Sequence, residues 1–280
     1  MKKEETKVVV FPETVKEWNA LLPEEKIRLL FHDTWLGDLH RENLWYHYTT
    51  VDALTTMISK NGIEIWATQC QFMNDRNEIQ EGLNLLKPIL SGILSKMDNA
   101  DEKLNDLYVK QTFFSCLSVA KDSVPMWNTY GQLGNGVALG FQPHIPSSDD
   151  YQVLKVIYRD TQGESKWIRK TTELAKSSNS LSKVKLFSSI VLLPIAIKNK
   201  AFEYEDEIRL VCDTDEVYFR SKNGMLVPYK KFTINSCYLR EIIIGPANDA
   251  DRMQYAIELL LSKLGLSDVV IKRSSVPLRN

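Results

Sequence analysis

The sequence FEYEDEIRLV at residues 202–211 decides how the last third of the chain is interpreted. Side chains alternate across a β-strand, so every second residue of this stretch should share a face. One face would direct three apolar side chains into a core: Ile208, Leu210 and Cys212. The opposite face would carry four charged side chains: Glu203, Glu205, Glu207 and Arg209. Because the three acids repel one another, this face indicates either a solvated edge strand or a catalytic carboxylate pair.

The overall composition is that of a globular protein. The chain has 280 residues, of which 44% are hydrophobic and 25% charged, enough to bury a sizeable core. A formal net charge of −1 gives no global field that would attract nucleic acid or an anionic membrane. The apolar runs at 8–11 and 190–197 are both shorter than the roughly 20 residues that cross a bilayer. We therefore expect a soluble cytoplasmic protein with no membrane partner.

The cysteines and histidines are dispersed along the sequence. No Cys-x-x-Cys pair occurs, which argues against a zinc ribbon. All four cysteines lie in or beside apolar segments and are expected to be small reduced core residues: Cys70, Cys116, Cys212 and Cys237. We expect no metal site.

Periodic apolar segments outline the rest of the chain. Helical spacing over 12–40 predicts a helical N-terminal extension at 1–43, and residues 44–280 predict a single α+β domain without a linker. Helical insertions are expected after 74 and over 164–199. Other helices are expected at 53–58, 125–130 and 249–264. Strands are expected at 44–48, 63–68, 112–118, 137–141, 153–158, 207–213, 216–220, 225–229, 237–244 and 269–272.

Two aromatic motifs each have a structural and a functional interpretation. His47 lies mid-strand and is followed by hydroxyls at Thr49 and Thr50, so it is either a satisfied core or surface histidine or a ligand-binding group. Trp127 and Tyr130 are three residues apart on one helix face, so they form either aromatic core or a wall that stacks on a planar ring.

Two further motifs favour structural interpretations. The sequence GQLGNG at 131–136 follows a helix and precedes a strand, the reverse of a phosphate-binding loop, and therefore predicts a helix-to-strand turn. The Asn-Asp-x-x-Glu motif at 74–78 is explained by capping of a helix start.

Taken in order, these segments resemble a bacterial family of unknown function, number 2971. Its members carry motifs similar to these, in this order: Tyr-His-Tyr-Thr near the start, Asn-Asp-x-x-Glu, a Ser-x-x-Ser strand, Met-Trp-x-x-Tyr before a Gly-bearing strand, and Glu-x-Glu-x-Arg later. Here these motifs fall at 46–49, 74–78, 115–118, 126–136 and 205–209. The resemblance spans residues 44–279 and includes IIGP at 243–246 and VPLR at 276–279.

That family in turn resembles divergent ADP-ribosyltransferases. The resemblance implies a split two-sheet core and a cleft in which NAD is cleaved at the nicotinamide–ribose bond. Such enzymes place a His or Arg on the first strand, a hydroxyl or aromatic motif on a middle strand and a Glu on a later strand. His47, Ser115 with Ser118, and Glu207 occupy that order here.

The resemblance also implies roles for individual residues. Glu207 would stabilise the positive charge that builds on the ribose, and Glu205 would orient or deprotonate the acceptor. His47 would donate a hydrogen bond to a ribose hydroxyl. Arg209 would contact a diphosphate or form a salt bridge to one of the two glutamates. The remaining NAD-binding residues would be Tyr48, Thr49, Ser115, Ser118, Trp127 and Tyr130.

The implied function is an NAD-dependent ADP-ribosyltransferase or an NAD glycohydrolase-like enzyme, with NAD as substrate. The acceptor would be protein, nucleic acid, a small molecule or water, and a bacterial toxin or phage-defence role follows by analogy alone. The alternative is a non-catalytic nucleotide-binding or protein-interaction module on the same fold. In that module, the acidic strand face is salt-bridged and His47 and Trp127 are packing groups.

Overall fold

The computed structural model describes most of the chain beyond residue 42. The described residues are 43–73, 79–84, 102, 106–143, 145, 148–159, 193–222 and 224–277. The predicted N-terminal extension, apart from its last residue, lies outside the described residues. So do the motif at 74–78 and the part of the helical insertion before residue 193.

The described residues form a mixed α+β structure, which confirms the expected class. The strands are β1 Trp45–Thr49, β2 Gly62–Gln69, β3 Phe113–Ser118, β4 Val137–Phe141, β5 Tyr151–Lys155, β6 Ile157–Arg159, β7 Ile197–Asn199, β8 Glu207–Cys212, β9 Tyr218–Lys222, β10 Met225–Asn235, β11 Leu239–Ile244 and β12 Val270–Arg273. The α-helices are α1 Val51–Met57, α2 Val124–Thr129, α3 Leu193–Ala196 and α4 Ala250–Leu264, and residues 79–84 are also helical. Short 3₁₀ helices lie at Cys70–Phe72, Gln132–Gly134, Lys200–Glu205 and Ser236–Tyr238, and a π-helical turn lies at Asp106–Lys110.

Capping residues in the sequence fix the ends of the helices. The Thr50 hydroxyl accepts a hydrogen bond from the Ala53 amide at 3.1 Å and starts α1. The Asp249 carboxylate caps α4, and Gly265 ends that helix at a positive φ of 72°. The turn at 131–136 joins α2 to β4 as predicted, with a 3₁₀ helix inside it.

Ten of the strands form one mixed sheet. Its hydrogen-bonded order is β12-β11-β4-β1-β3-β2-β10-β9, with β8 paired to β3 and β5 paired to β8. β11 and β12 are parallel, whereas the other pairs in this sheet are antiparallel. β6 and β7 form a separate two-stranded parallel sheet.

The central strand β3 is shared by three neighbours. β8 pairs with β3 along its length, from Phe114 to Ser118, and therefore occupies one edge of that strand. On the other edge, β1 lies opposite Ser118, while β2 lies opposite Phe113 and Phe114. β1 and β2 thus diverge from the two ends of β3. We call this opening, beside residues 115–117, the fork.

The main hydrophobic core packs α1 and α4 against the sheet. Leu54 of α1 and Ile257 of α4 belong to the same buried cluster as Trp45 and Ile65 of the strands. The three apolar residues predicted to point into the core from β8 all belong to this cluster: Ile208, Leu210 and Cys212. The alternation of that strand was therefore predicted correctly.

The strand that was expected to carry four charges begins later than the charges do. Glu203 and Glu205 lie in the 3₁₀ helix at Lys200–Glu205, and only Glu207 and Arg209 lie on β8. The reason is Asp206, whose left-handed conformation (φ 39°, ψ 60°) breaks the extended chain. The proposed four-residue strand face is therefore wrong.

Strand pairing and the burial of one cysteine also differ from what the sequence predicted. Residues 197–199 were expected to be helical, but they form β7 because they pair with β6. The expected strand at 153–158 is divided into β5 and β6, and β10 extends to Asn235 because it pairs with β2 along Gly62–Thr68. Cys237 is exposed and not a core residue.

Within the described part of the chain, no helix is long and apolar enough to span a membrane.

Candidate functional site

A cavity of about 690 Å³ opens at the fork. Its volume lies within the range of about 300–1,000 Å³ that is typical of small-molecule sites. The walls come from β1, β2 and the middle of β3, and are completed by α2, β9 and the segment around 198–207. Of the residues predicted to form a site, the cavity is lined by His47, Tyr48, Thr49, Ser115, Tyr130, Glu205 and Glu207.

His47 crosses the fork towards β3. Its Nδ1 lies 3.2 Å from the Cys116 carbonyl oxygen, which can only accept, so Nδ1 carries the proton. Burial lowers the pKa of His47 below its usual 6.5, against a smaller opposing effect of the Cys116 bond. The ring is therefore neutral near pH 7, and its Nε2 is a hydrogen-bond acceptor.

Glu205 and Glu207 are joined by a buried lysine. Lys198 Nζ lies 2.5 Å from Glu205 Oε2 and 2.7 Å from Glu207 Oε2. All three side chains are buried, and all three line the cavity. Like charges this close would repel, and the ammonium between the two carboxylates offsets that repulsion.

Glu207 has a second cationic partner. The Nε of Arg209 donates to Glu207 Oε1 at 2.8 Å, and the guanidinium is fully buried over the Phe114 ring. Burial alone would raise the pKa of Glu207, but the charges of Arg209 and Lys198 outweigh it and lower the pKa to about 2. Glu207 is therefore ionised across the physiological range.

The neighbouring Glu205 is held from the side of α2. Tyr130 Oη donates to Glu205 Oε1 at 2.9 Å, and burial together with the Glu205 charge raises the pKa of Tyr130. The Ser118 hydroxyl donates to the Glu205 main-chain carbonyl and accepts from the Ala120 amide. Tyr130 lines the cavity and contacts the Glu205 side chain, whereas Ser118 does not line it and holds the main chain at Glu205.

The remaining residues predicted to bind a ligand divide into two groups. Ser115 and Thr49 line the cavity, and so does Tyr48, whose hydroxyl donates to the Ala120 carbonyl at 2.7 Å. Trp127 does not line it. Its indole is fully buried, packs edge-on to Tyr48 at 4.9 Å and donates Nε1–H to Asp122 at 2.8 Å. Trp127 is therefore a packing residue and not a stacking wall.

Arg209 also lies behind the cavity and does not line it. The structure gives it the salt bridge to Glu207 that was one of its two expected roles. Its Nη1 additionally donates to the Ile195 carbonyl. A guanidinium held in this way supports the carboxylate instead of contacting a diphosphate.

Sequence reasoning missed several side chains at this site. Lys198 follows a buried apolar run, and its single charge there was the available signal. Tyr158 accepts a hydrogen bond from the Glu207 amide at 2.7 Å, and burial raises its pKa. Arg220 and Lys222 line the cavity from β9, and only their alternation on that strand could have indicated a shared face.

No group of three or more His, Cys, Asp or Glu side chains in the described part of the chain has the geometry to hold a metal ion. The cavity is lined by carboxylates, hydroxyls, an imidazole and cations.

Part of the chain is similar to a known protein family. A family described as a protein of unknown function (DUF2971) matches residues 126–210. This range runs from α2 to β8 and contains Tyr130, Lys198, Glu205 and Glu207. Comparisons with curated proteins and with solved structures gave no match. The match supports the resemblance to this family over the part of the chain that holds Glu205 and Glu207.

Proposed function

We propose that the cavity binds NAD or a related nucleotide. In this proposal the protein is an NAD-dependent ADP-ribosyltransferase or an NAD glycohydrolase-like enzyme. The observation that carries the proposal is the convergence of His47, Ser115, Glu205 and Glu207 on one cavity. His47, Ser115 and Glu207 come from the first strand, a middle strand and a later strand, the order that the resemblance to ADP-ribosyltransferases implies, and Glu205 lies just before that later strand.

Glu207 would stabilise the positive charge that develops on the ribose and would not transfer a proton. Breaking the C1′–N bond of NAD sends the electron pair to the nicotinamide nitrogen and leaves positive charge on the ribose. A carboxylate that stays ionised stabilises that charge. The acceptor then forms the new bond to C1′ and loses its proton to Glu205 or to solvent. With water as the acceptor, the products are ADP-ribose, nicotinamide and a proton.

His47 has a different role in this proposal from the one the resemblance implied. Because Nδ1–H is directed to the Cys116 carbonyl and the ring is neutral, Nε2 accepts a hydrogen bond. A ribose hydroxyl would therefore donate to His47 instead of accepting from it. The Ser115 hydroxyl, on the adjacent wall, can donate or accept and would contact the nicotinamide side of the ligand.

The second candidate function is a non-catalytic nucleotide-binding module. It is favoured by the pairing of the carboxylates, because Lys198 and Arg209 together engage both oxygens of Glu207. The cluster contains two carboxylates and two cations, so its formal charge is zero. A carboxylate held in this way stabilises a developing cation less than one with a single partner.

The test follows nicotinamide release from NAD⁺ by the wild-type chain and by Glu207→Gln. Glu241→Gln is the matched control, because Glu241 is a buried carboxylate paired with Lys121 and Lys272 outside the cavity. We expect Glu207→Gln to lower the rate on the order of 100-fold or more. Glu241→Gln should retain the wild-type rate even though it also removes a buried charge.

The outcomes separate the two functions. Thermal unfolding of all three proteins with and without NAD⁺ reports binding independently of turnover. Stabilisation by NAD⁺ without nicotinamide release would favour the binding module. Equal background release from all three proteins, with no stabilisation, would overturn both functions.

A further inference from the structure

The cavity contains a second cationic group at the β9 wall. Arg220 and Lys222 are two residues apart on this strand, so their side chains leave the same face. Both line the same cavity as Lys198. β9 is the last strand on its side of the sheet and pairs with β10. The two positive charges therefore enter the cavity from an edge strand of the sheet.

Arg220 has hydrogen-bonding capacity that the described residues do not use. Its Nη2 donates to the Thr68 hydroxyl at 2.8 Å, but its buried Nε–H has no hydrogen-bond partner among them. No described carboxylate lies within ion-pair distance of Arg220 or Lys222, in contrast to Lys198 and Arg209. Since buried donors are nearly always satisfied in proteins, the unused N–H indicates a missing acceptor.

Aromatic rings fix the guanidinium in place. Arg220 lies 5.4 Å from the Trp66 ring centroid and 5.5 Å from that of Tyr229, and these two rings stack at 4.5 Å. The acid on this wall, Glu64, is already engaged by Trp66 Nε1 at 2.8 Å and by Lys231 at 3.1 Å. The guanidinium is thus oriented by packing while its charge remains uncompensated by the described residues.

We propose that Arg220 and Lys222 form an oxyanion subsite that takes a phosphate or diphosphate group of the ligand. The planar guanidinium matches two phosphate oxygens, and the Lys222 ammonium adds a point charge beside it. The Thr68 hydroxyl positions Arg220 from behind. This inference rests on the proposed nucleotide ligand and assigns its phosphate groups to named residues, and it requires no bond cleavage.

The experiment measures binding of inorganic pyrophosphate by calorimetry at low ionic strength. Wild type is compared with Arg220→Gln, Lys222→Gln and the double variant. Arg240→Gln is the matched control, because Arg240 is an exposed arginine outside the cavity that contacts Gln142. We expect each cavity variant to weaken binding about tenfold or more and the double variant to weaken it further. Arg240→Gln should bind like wild type.

Folding and specificity are checked in the same series. Arg220→Lys keeps the charge but loses the paired donors, and we expect it to bind with an affinity between those of wild type and Arg220→Gln. Circular dichroism confirms that each variant is folded. Absence of pyrophosphate binding by wild type, or equal weakening by Arg240→Gln, would overturn the subsite. Pyrophosphate binding by a protein that releases no nicotinamide would support the subsite and contradict only the enzymatic function.

Discussion

Lys198 is the residue that makes the carboxylate pair possible. It joins Glu205 and Glu207 in a buried setting, where an unpaired charge is costly. Its ammonium also lies over the Phe202 ring, with Nζ 5.0 Å from the ring centroid. A positively charged ligand near Glu207 would therefore be attracted less strongly, because the Lys198 ammonium already offsets part of the negative charge of the carboxylate.

The pH dependence of stability should reveal the Glu207 salt bridges. The carboxyl is held near a pKa of about 2, below its usual 4.5, so it stabilises the folded state above pH 4.5. This contribution is lost as the pH falls from about 4.5 towards 2, because the unfolded chain takes up the proton first. The free energy of unfolding of wild type should therefore exceed that of Glu207→Gln at pH 7, and the difference should shrink on acidification.

Urea denaturation at pH 7, 4 and 3 measures this difference. A gap between wild type and Glu207→Gln that stays constant over this range would contradict the low pKa of Glu207.

At the residue scale, the sequence predicted contacts along one strand better than contacts between segments. Alternation placed Glu207 beside Arg209 because both belong to β8. Lys198 was missed because its bond to Glu207 joins two elements whose pairing the local pattern does not encode. Trp127 was given a ligand role because an aromatic pair at helical spacing looks the same whether it faces a core or a cavity.

At the element scale, the turn at Asp206 sets the geometry of the site. It ends the 3₁₀ helix Lys200–Glu205, starts β8, and brings Glu205 and Glu207 to the same ammonium. Its carbonyl accepts from the Val119 amide at 2.9 Å, which anchors the turn to the end of β3. A non-glycine residue with positive φ is uncommon, although Asp and Asn tolerate it best.

Substitutions at Asp206 should follow backbone preference and not side-chain size. Asp206→Asn and Asp206→Gly should leave the free energy of unfolding within about 1 kcal/mol of wild type, since both residues adopt the left-handed conformation. Asp206→Val should cost about 1–2 kcal/mol more, because a branched side chain clashes there. Chemical denaturation of the three variants measures the order. Equal stability of the Val and Asn variants would contradict strain at this turn.

Elements with their own apolar pattern were predicted within a few residues. The strands at Trp45–Thr49 and Val137–Phe141 and the helix at Ala250–Leu264 are examples. The strand at Ile197–Asn199 was not predicted, because its partner β6 is distant in sequence and a three-residue strand carries little periodicity.

At the scale of the whole molecule, two parts of the sheet are joined through the single strand β3, and we call these two parts the arms. β1 and β4 reach β3 through Ser118, whereas β2 and β10 reach it through Phe113 and Phe114. Leu117 lies in the main core in the middle of this strand and is only 1% exposed. A change in β3 should therefore affect both arms together.

Leu117→Ala should lower the free energy of unfolding by about 2–5 kcal/mol, as expected for a core leucine. Native-state hydrogen exchange should show equal losses of protection in β4 and in β10, because the arms unfold with their shared strand. The control Leu259→Ala removes a side chain that is 56% exposed on α4 and should change little. Loss of protection in one arm alone would show that the arms unfold independently.

The sharing of β3 also sets when the site can form during synthesis. His47 and Cys116 lie on early strands and can meet before the later part of the chain exists. Glu207 opens β8, which must be translated and then added to the remaining edge of β3. At about 5–20 residues per second, a nascent chain spends several seconds with His47 in place but without Glu205 and Glu207. Any activity at the fork therefore begins only after β8 has left the ribosome.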